Sequence, residues 1–196
     1  MLGFNLAGVV SALKNGEIIV YPTDTLYGLG ADIYNDSAVK KIFLIKKRSF
    51  DQPLSIAVSS INDLKDVAFV DDRIIRIAER FLPGKLTLIL KKKTVVSDIL
   101  TAGGNCIAVR IPENSIALQI LSVFGPLTCT SANIHGIPTP NKINEIQMQF
   151  KDKINVYIDA GELKNKPSTI VDLSGEKVII LREGSISAQK ILKAVL

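Results

Sequence analysis

A chain of 196 residues that is 47% hydrophobic, with a mean hydropathy of +0.28, can bury about two-thirds of its unfolded surface and is too apolar for disorder. No apolar run approaches the ~20 residues of a membrane crossing. Met1-Leu2-Gly3-Phe4-Asn5 carries no export signal, and two cysteines with one histidine cannot form a clustered zinc site. A net charge of +5 and a pI near 9.2 point to anionic partners such as a nucleotide, phosphate or RNA, and the expectation is a reduced, cytoplasmic protein with one domain over residues 1–196.

In chain order, residues 17–22 read as a β-branched strand entered from the Asn15-Gly16 turn pair and stopped by Pro22, and residues 26–31 continue extended. Asn35-Asp36-Ser37 offers caps for a helix to about Lys46, with Ala38, Ile42 and Ile45 on one face. Residues 54–58 form a buried strand and 62–67 a short helix. Asp71 or Asp72 caps a helix that Pro83-Gly84 ends, whose Arg73, Arg76 and Arg80 should form a solvated face. A strand over 86–90 runs into Lys91-Lys92-Lys93, an exposed end. Residues 107–111 are a strand, Asn114-Ser115 caps a helix ended by Gly125-Pro126, and 127–130 is a strand opening into a polar loop over 131–141. A helix at 144–150, a strand at 155–159, a hairpin (169–173 with 178–181, turned at Ser174-Gly175) and a helix from Ser187 carrying Ile191, Leu192 and Val195 complete the chain. This alternation predicts one α/β domain with a mixed sheet, since a hairpin is incompatible with an all-parallel one.

Several motifs fail on inspection. Gly28-x-Gly30 follows a strand, but Ile33 stands where the Rossmann fingerprint needs a third glycine, and Gly84-Lys85 lacks the upstream glycine of a phosphate-binding loop. Cys129 and His135 are a weak thiol–base pair, because a cysteine in a strand is more often a small hydrophobe. A serine hydrolase would have to use His135, which lies outside any nucleophile elbow. Cys106 and Cys129 belong to different strands and are expected to remain reduced.

Three polar clusters interrupt the apolar segments: Thr23-Asp24-Thr25 with Tyr27, Gly28 and Gly30; Lys46-Lys47-Arg48; and Thr128-Cys129-Thr130-Ser131-Ala132-Asn133. Taken locally, the second could merely complement a helix C-terminus and the third could be a turn of side-chain-to-backbone bonds. Of the six arginines, Arg48, Arg110 and Arg182 each end an apolar segment, where α/β proteins place ligand-binding groups.

Taken together, seven blocks resemble the YrdC/TsaC family of threonylcarbamoyl-AMP synthases. They are Pro22-Thr23-Asp24-Thr25-Leu26-Tyr27-Gly28-Leu29-Gly30; Lys46 and Arg48 with Pro53-Leu54; Pro83-Gly84-Lys85-Leu86-Thr87; Ala108-Val109-Arg110-Ile111-Pro112; Ser131-Ala132-Asn133 through Gly136 to Pro140; Ser168-Thr169-Ile170; and Leu181-Arg182-Glu183-Gly184. The resemblance implies a YrdC-like α/β domain, a twisted mixed sheet flanked by helices with a concave basic face. It implies condensation of L-threonine, bicarbonate or CO2, and ATP into threonylcarbamoyl-AMP and pyrophosphate, the product going to a tRNA threonylcarbamoyl transferase that modifies adenosine 37. It also implies Mg²⁺ held mainly through the ATP phosphates, and no membrane partner.

By motif position, Lys46, Arg48, Ser131 and Asn133 are implied as the catalytic set around the phosphates and carbamate. Arg110, Thr25 and Ser168 would hold threonine, with Arg110 on its carboxylate. Arg48, Gln52, Cys106, Cys129, Ser131 and Arg182 would contact ATP; no residue is assigned to a metal. Ser49 and Asp24 depart from the family's common proline and glutamate, Ala57 stands where longer members often have a histidine near threonine, and the chain resembles the short form of the family. Two other readings stay open: an RNA- or tRNA-binding module without turnover, and a carbamoyl-adenylate domain like that of hydrogenase maturation proteins.

Overall fold

Five helices begin where a short polar side chain takes up a backbone N–H left open by the first turn. Asn5 caps α1 (Leu6–Lys14), Asn35 caps α2 (Asp36–Lys46), Ser60 caps α3 (Ile61–Val67), Asp71 caps α4 (Asp72–Phe81) and Asn114 caps α5 (Ser115–Phe124). The caps predicted at Asn35, at Asp71 and at Asn114 therefore hold; α1 had no counterpart in the sequence reading. The structure, a computed structural model, describes residues 4–163 and 166–195. Met1 to Gly3, on which the export reading partly rests, and the side chain of Val195 lie outside the described residues.

The strands are β1 (Ile19–Tyr21), β2 (Gly28–Gly30), β3 (Ser55–Ala57), β4 (Leu86–Lys91), β5 (Cys106–Arg110), β6 (Leu127–Thr128), β7 (Thr130–Ser131), β8 (Val156–Tyr157), β9 (Thr169–Asp172) and β10 (Ile179–Arg182). Two further helices, α6 (Ile143–Phe150) and α7 (Ala188–Val195), follow β7 and β10. The strands form two mixed sheets where a single sheet was expected. One has the order β7-β2-β1-β8; the other has the order β10-β9-β4-β5-β3-β6. In the first only β1 and β8 run parallel, and in the second the parallel pairs are β4 with β9 and β3 with β5.

The single strand expected over 127–130 is broken at Cys129, and the break joins the sheets. β6 pairs with β3 in the six-stranded sheet, and β7, two residues on, pairs with β2 in the four-stranded one. Thr128 stitches the crossing: its hydroxyl accepts from Ala31 N and donates to the Leu29 carbonyl, both at 2.9 Å, while its carbonyl accepts from Tyr21 Oη at 3.1 Å. Ser55 holds the next residue, giving its carbonyl to Cys129 N at 2.7 Å and its hydroxyl proton to the Cys129 carbonyl at 2.6 Å.

Burial on both faces explains the β-branched strands. Val20 of β1 and Ile56 of β3 belong to a large core with Phe43 and Leu88, while Ile19, Tyr21 and Ala57 turn to a smaller one with Leu121 and Leu127. Gly30 is required by this arrangement. A Cβ there would stand 2.9 Å from both Ile19 Cγ1 and Tyr21 Cε1, so any side chain would push the Tyr21 ring off its seat.

Tyr27, fully buried, ties β2 to the turn after β8. Its hydroxyl donates to the Gly161 carbonyl at 2.7 Å, accepts from Ala160 N at 2.9 Å and lies 3.3 Å from Asp159 Oδ1. Burial pushes this hydroxyl up to about 12. Tyr27→Phe strands a donor and an acceptor, so it should cost about 1–2 kcal/mol and lower the melting temperature by roughly 2–8 °C. An unchanged thermal melt would show that water or Asp159 replaces the hydroxyl.

Two surface expectations are corrected. Arg76 and Arg80 are exposed, but Arg73 is not merely solvated: it donates to the carbonyls of Leu173, Gly175 and Glu176 at 2.5–3.0 Å and so grips the β9–β10 turn. Lys91 is exposed, whereas Lys92 pairs with Asp98 at 2.8 Å and donates to the Val96 carbonyl at 2.7 Å. Among the described residues no helix is long and apolar enough to cross a membrane.

Candidate active site

A pocket of about 400 Å³ opens where the sheet crossing meets the ends of β5 and β9. Three arginines from three elements reach its wall: Arg48 after α2, Arg110 at the end of β5 and Arg182 at the end of β10. Hydroxyls of Thr23, Thr25, Ser55, Thr87, Ser131 and Ser168 line the remainder, with Ala108 and Cys129 between them.

Arg110 is the most constrained. It is 5% exposed, and its guanidinium donates to Asp24 Oδ1 at 2.5 Å and to Thr25 Oγ1 at 2.9 Å. The carboxylate is set by the Thr23 turn, in which Thr23 Oγ1 accepts from the N–H groups of Thr25 and Leu26 and donates to the Leu26 carbonyl. Arg110 Nε and Asp24 Oδ2 are buried without a partner. Buried polar groups are nearly always satisfied, so this ion pair is incompletely bonded, and of its two members only Arg110 lines the pocket.

Arg48 is half-buried. Its Nε donates to the Gln52 carbonyl at 3.3 Å and its NH2 group to the Pro53 carbonyl at 2.9 Å, which fix the plane of the guanidinium. Partial burial lowers its affinity for the proton. Arg182 donates twice to the Ser168 carbonyl, at 2.9 and 3.2 Å, and is lowered first by burial and then by the charge of Arg110. The hydroxyls of Ser168 and Thr87 are hydrogen-bonded to each other at 2.8 Å. Gly184 allows this packing, because a methyl group there would overlap the Pro167 carbonyl and the backbone of Ser168.

Of the residues singled out in the sequence, the fold brings Thr25, Arg48, Arg110, Cys129, Ser131, Ser168 and Arg182 to this wall. Lys46 and Asn133 stand behind it. Lys46 is 2% exposed, and its ammonium donates to the carbonyls of Ser131 (2.5 Å) and Asn133 (2.8 Å) and to Asn133 Oδ1 (3.3 Å). Burial and then Arg48 push Lys46 down to about 7, and the three acceptors oppose that by requiring its protons. Asn133 Oδ1 also accepts from Ser131 Oγ at 2.5 Å. Gln52 meets Arg48 through its carbonyl and does not line the pocket. Neither does Cys106, which opens β5 two strand positions before Ala108.

Sequence reasoning passed over Thr87, Ser55 and Thr139 and gave Asp24, named in the first polar cluster and as a departure from glutamate, no role in the site. The motif blocks already contain Thr87, Thr139 and Asp24, and being a polar residue inside a block was the usable signal. Ala57 is register partner to Arg110 and packs in the smaller core with Tyr21 and Cys129. Cys129 is buried and its thiol is pushed up, chiefly by desolvation, which makes it a poor nucleophile; His135 is exposed.

Comparison with known proteins agrees on one family. The family model described as telomere recombination, Sua5/YciO/YrdC, matches residues 11–184. A Methanocaldococcus jannaschii protein provisionally named a threonylcarbamoyl-AMP synthase is 43% identical over 92% of this chain and 86% of its own length. The threonylcarbamoyl-AMP synthase of Pyrococcus abyssi is 37% identical over 93% of this chain, which spans 55% of that longer protein. Among solved structures, P. abyssi Sua5 in complex with L-threonine superposes with a TM-score of 0.92 at 35% identity, covering 96% of this chain and 56% of that one.

Proposed function

The chain belongs to the Sua5/YciO/YrdC family, and from that premise we propose that it is an L-threonylcarbamoyl-AMP synthase. The threonine amine adds to CO2 with loss of a proton, or condenses with bicarbonate with loss of water; the resulting carbamate oxygen attacks the α-phosphorus of ATP, forming the P–O bond as the bond to pyrophosphate breaks. The observation that carries this reading is the convergence of Arg48, Arg110 and Arg182 on one hydroxyl-lined pocket. Nucleotidyl transfer to a ready-made carbamate asks for positioned positive charge and needs no covalent nucleophile, which suits a wall of guanidiniums and a suppressed thiol.

Arg110, whose side chain reaches the pocket wall, takes the threonine carboxylate, and Thr25 and Ser168 flank the amino acid. Arg48 and Arg182 face the phosphates, with Ser131 and Cys129 contributing to the nucleotide side. Gln52 and Cys106 contact the nucleotide only if ATP extends past the described wall. Asp24, the carboxylate beside the pocket, is occupied by Arg110. The wall therefore suits an anion, and magnesium enters with ATP, held by its phosphates and by water. Lys46 and Asn133 complete the set behind Ser131. The product is an acyl phosphate-type mixed anhydride, to be consumed by a transferase acting on tRNA adenosine 37.

Pyrophosphate release with ATP, L-threonine and bicarbonate tests this. Release that depends on threonine supports the synthase. RNA retention without turnover would replace it by a binding module, and dependence on carbamoyl phosphate by a carbamoyl-adenylate domain.

A further inference from the structure

The end of β7 and the loop that follows it supply Ser131 and Thr139 to the pocket, yet this segment contains no strand between Ser131 and α6. Its conformation needs a support: Gln149 of α6 accepts from Ile134 N at 3.1 Å and donates to the Pro138 carbonyl at 3.2 Å, while the contacts of residues 131, 133 and 135 converge on one residue of α2. From α2, the Lys46 side chain reaches two loop carbonyls and one loop side chain, and the Lys46 carbonyl accepts from His135 N at 2.7 Å. Asn133 passes the hold onward, because its Nδ2 donates to the carbonyls of Ile134 (3.0 Å) and Ile137 (2.6 Å). With Lys46 2% exposed and its three acceptors all from the loop, no face of the ammonium is left toward the pocket.

We propose that Lys46 is a positioning residue, the post on which residues 131–139 are hung, and that it serves the reaction through Ser131 and Thr139 without touching the phosphates. Its consequence for turnover rests on the synthase reading; the clamp itself does not. Lysine suits the task physically. One ammonium can donate three hydrogen bonds in diverging directions, and burial leaves those bonds unscreened by water. Removing it takes the ammonium from the Asn133 carbonyl and leaves the Ser131 carbonyl only the Asn133 N–H at 2.9 Å, so the loop and not the helix should loosen.

Hydrogen exchange on the ligand-free protein separates this from a phosphate contact. In Lys46→Met, amides of residues 131–139 should exchange about tenfold faster or more, while β4 and β5 stay protected. Asn133→Ala, which leaves Lys46 in place, should give the same loop-limited change; it decides the matter if Lys46→Met loosens the whole chain. As a functional readout, Lys46→Met combined with Ser131→Ala should lose no more kcat/KM than the worse single variant, because both act through Ser131. Two results overturn the proposal: loop exchange unchanged in both variants without ligand and altered only with MgATP, or losses in kcat/KM that multiply. Loop-limited exchange in a protein that releases no pyrophosphate would refute the activity and leave the clamp standing.

Discussion

Arg110→Ala is expected to reduce stability by about 3–5 kcal/mol, because it leaves Asp24, a carboxylate whose side chain is 4% exposed, buried without its partner. Against the roughly 5–15 kcal/mol that hold a domain together, this is a large fraction, and the melt should fall by roughly 6–20 °C. Threonine affinity should fall by about 30-fold or more, corresponding to the 2–5 kcal/mol of a lost desolvated charge pair, while ATP affinity changes far less. The two effects can be separated. Asp24→Asn combined with Arg110→Met removes both charges, so it should regain part of the stability and none of the threonine binding. Calorimetric titration of threonine and of ATP on each folded variant provides the measurement. Equal losses for the two ligands would assign Arg110 to the nucleotide or to the fold.

For Arg48 the expected pattern is the reverse. Arg48→Ala should lower turnover roughly 100-fold or more, as for a removed transition-state donor, with little change in the melt. Arg48 is half-buried and its protein partners are two backbone carbonyls of the neighbouring turn, so its loss strands no charge. Arg48→Lys should also be impaired, since an ammonium cannot keep two carbonyls and still present a planar edge to a phosphate. Threonine-dependent pyrophosphate release and thermal melts on both variants test this. Near-wild-type turnover in both would remove Arg48 from the site.

The parts of the molecule legible in the sequence are those fixed by local chemistry. Asn35, Asp71 and Asn114 cap helices by bonds that span two or three residues, so the sequence around each cap contains the whole interaction. The arginines at element ends were legible for a similar reason. What escaped is non-local. The first half of α1 contains Gly8, Val9 and Val10, residues with weak helix preference, and the helix is held by packing on α5 more than a hundred residues later. The two-sheet division depends on a change of partner at Cys129, which nothing in Thr128-Cys129-Thr130 announces. Lys46 and Arg48 are two residues apart and looked equivalent. Lys46 still belongs to α2, whereas the left-handed backbone of Lys47, at φ 52°, turns the chain so that Arg48 faces the pocket.

The change of partner at Cys129 also governs how the molecule comes apart. The amides of Thr128, Cys129 and Ala132 donate to Ala31, Ser55 and Tyr27, so this short segment is bonded alternately to two layers. Neither layer can shed it alone, and the protein should therefore behave as one cooperative unit, with tyrosine absorbance and far-ultraviolet dichroism melting together. Separate transitions would mean that the seam yields first. Those partners lie about 70 to 105 residues upstream, so closing the seam bears a large loop entropy and comes late in folding. Cys129, Thr130 and Ser131 are themselves part of the pocket wall, and ligand captured there binds only chains in which both layers are assembled. Substrate binding thus selects for the finished fold, and should protect the seam more than any other part of the molecule.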